Sequence, residues 1–208
     1  MNPLTIKLFT LLAKIALVEV PALHDGSPKH QTYLDGMNEM SRIYVDVGKA
    51  GLLISPDADS MLLAAIGYEE SRHRPQSPDG DCSHLPGGTK CRAFGPMQIN
   101  KSTPSILGNI DLSWKGSTLE QLRDPETNVK AAYRLMVYWK DQCKGGPAQW
   151  LGAWSAGRCS RNPIPMGHRR CALARALGDA AGVEVTGCDT KIHDRHTGRL
   201  IAELQKKN

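Results

Sequence analysis

Met61-Leu62-Leu63-Ala64-Ala65-Ile66-Gly67-Tyr68 is an apolar run that ends in Glu69-Glu70-Ser71, and Pro75 lies four residues beyond. Upstream, Ser55 is a favourable N-cap, Pro56 suits a first helical position, and Asp57 and Asp59 complement the positive end of a helix dipole. Met61, Leu62, Ala65, Ile66 and Glu69 recur at helical spacing, and the stripe is apolar until its last member. Pro75 bars the helix from running past Arg74. Glu69 and Glu70 therefore fall in its last turn or two, where the dipole disfavours a carboxylate charge and raises the carboxyl pKa. Burial against Met97 or Trp154 is expected to raise it further. Arg74, at i+4 from Glu70, has to face solvent or substrate for that shift to survive. A carboxyl that keeps its proton near neutral pH is what general-acid catalysis requires.

Three further segments follow in order. They are Ala93-Phe94-Gly95-Pro96-Met97-Gln98-Ile99-Asn100, Leu122-Arg123-Asp124-Pro125-Glu126-Thr127-Asn128-Val129 and Ala153-Trp154-Ser155-Ala156-Gly157. Together with Glu70-Ser71 and Pro75, this series resembles the lytic transglycosylase and goose-type lysozyme superfamily across roughly residues 56–160. That family carries Glu-Ser, a proline, Gly-Leu-Met-Gln, Leu-x-Asp-Pro-x-x-Asn-Ile and Ala-Tyr-Asn-Ala-Gly. The chain departs from the pattern at Pro96, Trp154 and Ser155. It also departs in the separation of Glu70 from Gly95, which is 25 positions and longer than usual. The extra length is the turn-rich loop from Ser77 to Cys91.

The resemblance implies an all-α, lysozyme-like fold with an inserted loop. It also implies cleavage of the MurNAc-GlcNAc β-1,4 bond of peptidoglycan, with 1,6-anhydro-muramyl products. Glu70 is the expected general acid, and Glu69, about a hundred degrees around the helix, a structural residue. Ser71, Gly95, Met97, Gln98, Tyr133, Trp154 and Ser155 are the expected substrate-binding residues. Gly95 would let the backbone approach a sugar, and Trp154 would stack on a sugar face. Most glycosidases use two carboxylates, whereas lytic transglycosylases manage with one. Asp79 and Asp81, in the inserted loop, are the candidates for a second. If either positions water, the chain is a muramidase instead; the plainer account is turn aspartates in Pro78-Asp79-Gly80-Asp81. A non-catalytic wall-binding module is the alternative of a different class. No cofactor and no metal are expected.

A net charge of +5 and a pI near 8.9 favour anionic partners, and a cell wall with acidic peptide stems is one. The positive charge is spread along the chain; Arg169-Arg170 and Lys206-Lys207 are only pairs, which reads as a solvated basic surface and argues against nucleic acid. Peptidoglycan glycan strands are the expected partner of a monomer. Six cysteines suggest disulfides and an oxidising compartment. Proximity points to Cys82–Cys91 across the inserted loop, Cys143–Cys159 and Cys171–Cys188. Cys82, His84 and Cys91 as zinc ligands is the weaker option, since no Cys-x-x-Cys knuckle is present.

The first residues fit an amphipathic helix better than a signal peptide, because Lys14 and Glu19 interrupt the apolar run. No run is long enough to span a bilayer. The expected location is the periplasm or cell wall, reached by export or by a phage lysis or injection route. Helices are expected over 4–20, 30–50, 56–73, Asp124–Lys140, Pro147–Trp154 and Arg169–Ala180, with a loop over 75–92 and a short helix near Thr103–Leu107. Val183–Thr186 reads as a short strand. The division is a helical extension (1–50), a catalytic domain (51–182) and a C-terminal tail (183–208).

Overall fold

A helix that is apolar on every side has to be central, and the segment from Ala58 to Tyr68 is buried all the way round. A computed structural model describes residues 2–19, 28–75, 80, 83–85, 88–90, 92–100, 120–160, 164–188 and 194–206. Its α-helices are α1 (Pro3–Glu19), α2 (Pro28–Gly48), α3 (Pro56–Ser71), α4 (Pro125–Gln142), α5 (Pro147–Ala156), α6 (Pro165–Ala181) and α7 (Arg195–Gln205). Helix α3 lies between α2 and α6; α5 bridges α4 and α6, and α1 packs on α2, α6 and α7. One core runs through all seven, from Leu8 in α1 to Leu204 in α7.

The start of α3 follows the capping chemistry of its sequence. The Ser55 side chain accepts from the Ala58 amide at 3.3 Å, and Pro56 begins the helix. Asp59 does more than complement the dipole. It is fully buried and accepts from the amides of Leu53 (3.0 Å), Ile54 (2.8 Å) and Ser55 (3.3 Å). Tyr133 of α4 donates to it at 2.5 Å and accepts from the Leu52 amide at 2.7 Å. This corrects the expectation that Tyr133 reaches a cleft. Its hydroxyl is committed at the N-terminal end of α3, far along the helix from Glu70. The face of α4 carrying Val129, Ala132, Tyr133 and Met136 is a core face throughout.

Two close helix approaches depend on missing side chains. A Cβ on Gly67 would lie 1.8 Å from the Tyr44 hydroxyl of α2. A Cβ on Gly167 would lie 2.0 Å from the Ala148 carbonyl, and one on Gly152 would lie 2.9 Å from Ile164 Cγ1, so α5 and α6 cross almost backbone to backbone. Disulfides Cys143–Cys159 and Cys171–Cys188 are formed, as proximity suggested. Each closes a loop of a length that restrains the unfolded chain by about 3 kcal/mol. Cys82 and Cys91 lie outside the described residues, as does the segment Thr103–Leu107.

Two expectations for the rest of the chain need correction. Val183–Val185 forms no strand. Gly182, in the left-handed region, ends α6, and the Val183 amide bonds back to the Gly178 carbonyl at 2.8 Å. The segment is thus the cap of a helix, and no strand partners it among the described residues. The weakly patterned C-terminus contains α7, capped by Asp194, whose side chain accepts from the Thr197 amide at 2.8 Å. Thr197, Leu200, Ile201 and Leu204 bury one face of it. Within the expected loop lie a hairpin of β1 (Ser83–Leu85) and β2 (Gly88–Lys90), and the next turn is framed by β3 (Ala93–Phe94) and β4 (Ile99–Asn100).

Replacing Tyr133 by Phe removes a donor to the buried Asp59 carboxylate and the acceptor of the half-buried Leu52 amide. Denaturant unfolding should show a loss of about 1–3 kcal/mol, with the titration of Glu70 unchanged.

Candidate active site

Helix α3 ends at Ser71, and the chain turns sharply at once. Arg72 and His73 both adopt positive φ, 57° and 61°, a conformation uncommon for side-chain-bearing residues. The turn is held by bonds from Arg72 N to Tyr68 O (3.1 Å) and His73 N to Gly67 O (3.3 Å), and by Tyr33, which donates to the Arg72 carbonyl at 2.8 Å. His73 is buried, with Nδ1 3.2 Å from the Tyr44 hydroxyl. Burial pushes its pKa down to about 3, helped by the neighbouring Arg72 charge, so the ring stays neutral. This lock fixes the last turn of α3, which carries Glu70 and Ser71. Ser71 is buried and donates to the Gly67 carbonyl at 3.2 Å, while Arg74 is exposed, as a proton-bearing Glu70 requires.

Glu70 keeps 21% of its side chain exposed, enough to meet a ligand from one side. On the other side it forms an ion pair with Arg170 of α6, and Trp154 of α5 hydrogen-bonds to it. Burial pushes the carboxyl above the ordinary glutamate range. The Arg170 guanidinium and the Trp154 hydrogen bond pull it back in part, and the Glu69 charge adds to the rise. Trp154 therefore acts in the opposite direction to the expected one. An indole N–H that bonds the carboxylate stabilises the charged form.

Arg170 is the residue that sequence reasoning missed. It is 1% exposed, and Nη1 donates to the Leu151 carbonyl at 3.0 Å. The α5–α6 crossing at Gly152 and Gly167 puts it there, one helical turn beyond Gly167. A signal was present: Gly167, Arg170, Cys171, Ala174, Leu177 and Gly178 share the buried face of α6. An arginine on such a face needs a carboxylate partner.

The turn Gly95–Gln98 packs against α3 through Met97, whose sulfur would lie 3.4 Å from a Cβ on Gly67. Met97 is fully buried, so it seats the turn and presents no surface to a sugar. Gly95 has φ +68°, and a Cβ there would lie 2.3 Å from the Leu122 carbonyl and 2.5 Å from Asn128 Nδ2. The close approach that needs this glycine is thus to the protein's own α4 region. Asn128, fully buried, accepts from the Met97 amide at 2.7 Å and donates to the carbonyls of Phe94 (2.9 Å) and Leu122 (2.7 Å). Gln98 has positive φ, and its Nε2 donates to the Gly95 carbonyl at 2.9 Å. Its Oε1 lies against Gly80, where a Cβ would come within 1.8 Å. Ser155 is exposed beside the half-buried Trp154. Asp79 and Asp81 flank Gly80 in the chain but lie outside the described residues.

A mainly helical domain of the lysozyme-like class, with one raised carboxyl at the end of its central helix, is what these elements define. The family model of the transglycosylase SLT domain matches residues 55–163, just over half of the chain, and the chain belongs to that family. The family acts on the glycosidic bonds of cell-wall peptidoglycan. No curated protein and no solved structure matched. The match begins at the N-cap of α3 and ends before α6, so Arg170 lies outside it.

Asn128→Ala would strand the Met97 amide and two carbonyls. Thermal or denaturant unfolding should register a loss of about 3 kcal/mol or more, with Gln98 displaced in the folded fraction.

Proposed function

We propose that the chain is a lytic transglycosylase that cleaves the MurNAc-GlcNAc β-1,4 bond of peptidoglycan through Glu70. The observation that carries this reading is a partly exposed carboxyl, raised by burial, at the end of a buried helix and backed by a fixed cation. Glu70 gives its proton to the glycosidic oxygen as that bond breaks. The substrate's 2-acetamido group stabilises the cation, and the 6-hydroxyl closes onto C1 while its proton passes to the Glu70 carboxylate. One carboxyl thus serves as acid and then as base. Gln98, Trp154 and Ser155 border the glycan, Ser71 braces the helix end beside Glu70, and Glu69 remains outside the chemistry.

The hydrolytic variant uses Asp79 or Asp81 to hold water. The observation that favours it is that Gly80 lies against Gln98, which brings the intervening residue of Asp79-Gly80-Asp81 to the motif turn. Residues 51–182 are proposed as the catalytic unit, with 1–50 and 183–208 packed around it as extensions in a monomer. Two disulfides support action in an oxidising compartment, periplasm or cell wall. Among the described residues no helix is long and apolar enough to cross a membrane.

Mass spectrometry of muropeptides released from purified peptidoglycan tests the reaction. Wild type should release 1,6-anhydro-muramyl products, and Glu70→Gln should slow their release by about 10²–10⁴-fold. Reducing-end products that vanish when Asp79 and Asp81 are replaced by Asn would establish the hydrolase instead. No products from the wild type would leave a wall-binding module.

A further inference from the structure

We propose that Arg170 is a positioning residue for the chemistry, a fixed counter-charge that receives the Glu70 carboxylate whenever its proton leaves and so lets one group alternate between acid and base. This rests on the cleavage reading above. The guanidinium is 1% exposed, so it cannot touch a sugar and acts only through Glu70. One arm donates to Glu70 Oε1, and the other is tied to the Leu151 carbonyl. Its Nε has no hydrogen-bond partner among the described residues. The close α5–α6 crossing at Gly152 and Gly167 fixes the backbone that carries it, and Cys171, bonded to Cys188, anchors the adjacent position.

A group that must work twice faces a conflict. To donate, it needs its proton bound; to accept, it needs its charge tolerated. Burial serves the first need, and a cation that is already oriented serves the second without reorganisation during the reaction. The proton travels from Glu70 to the leaving oxygen as C1–O breaks. The carboxylate left against Arg170 then takes the proton of the attacking hydroxyl as the new C1–O bond forms. The balance is the same whether the attacker is the 6-hydroxyl or water. Among the described residues, the other groups facing the pair are Glu69 on α3, Trp154 on α5 and Arg169 on α6. None of them is an oriented cation at Glu70, and Glu69 and Trp154 are constant across the variants below.

The test is the titration of the Glu70 carboxyl in the full chain, followed by carbon-13 resonance and assigned with Glu70→Gln. Arg170→Gln removes the charge and keeps a donor for the Leu151 carbonyl. Its Glu70 midpoint should rise by about one pH unit or more, a roughly tenfold change in proton affinity. Turnover of peptidoglycan should fall about tenfold or more, with KM held within about threefold, because the residue does not touch substrate. Arg170→Lys restores a charge and should bring the midpoint back to within about half a unit of wild type. A folded Arg170→Gln with an unshifted midpoint overturns the proposal. If that variant does not fold, Arg170→Lys decides, and a full-unit rise despite the retained charge overturns it equally. The titration needs no substrate. A wild type that releases no muropeptide therefore sinks the cleavage reading, whereas an unshifted midpoint sinks this one.

Discussion

A guanidinium that is almost wholly buried cannot give up its charge, so it has to be met by an anion or left at a cost of several kcal/mol. In this chain the anion is Glu70, and much of the architecture serves that meeting. Helix α3 is apolar enough to run through the centre of the core and deliver its last turn to α6. Gly152 and Gly167 let α5 and α6 touch, which sets Arg170 against the Leu151 carbonyl and aims it at Glu70. The arrangement gives a carboxyl two opposed influences at once. Desolvation holds the proton on, and an oriented cation tolerates its loss.

The remaining parts fix position. The consecutive left-handed residues Arg72 and His73 end α3 abruptly, with a neutral buried imidazole braced on Tyr44. On the far side, Asn128 satisfies one amide and two carbonyls of the Gly95–Gln98 turn and its surroundings, and Met97 ties that turn to the same stretch of α3. Cys143–Cys159 brackets α5, which carries Trp154, and Cys171–Cys188 holds α6 beside Arg170. Each disulfide therefore restrains an element that supplies one of the two groups bonded to Glu70.

Much of this was legible in the sequence because it was written in local chemistry. Ser55, Pro56 and Pro75 bounded α3, and Asp124-Pro125 began α4. The four motif segments, in order, pointed to the family, and short separations picked the two described cystine pairs. What escaped was either non-local or misattributed. Tyr133 was placed among the substrate-binding residues, yet it stands on an apolar stripe of α4 and its hydroxyl serves the buried Asp59 carboxylate, a partner remote in sequence. Met97 and Gly95 were credited to sugar contact because motif residues invite functional readings, and both answer first to packing. Arg170 was hidden by its neighbour: a basic pair looks solvated until the helix is wound and one member falls on the buried face. Helix α7 was missed because few apolar residues mark it, although Thr197, Leu200, Ile201 and Leu204 already had helical spacing.

The central claim is that Glu70 is loaded with its proton by burial and is the acid of the reaction. The pH dependence of kcat/KM on purified peptidoglycan tests it most directly, since that ratio reports ionisations of the free enzyme. A raised carboxyl is charged only at higher pH, so the acid form is present below its pKa and is lost as pH rises through it. The account predicts a rate that falls with rising pH along a single ionisation above the ordinary glutamate range of about 4.3, and a residual rate in Glu70→Gln that lacks this limb. A profile flat through that region, or one whose limb persists in Glu70→Gln, would contradict it.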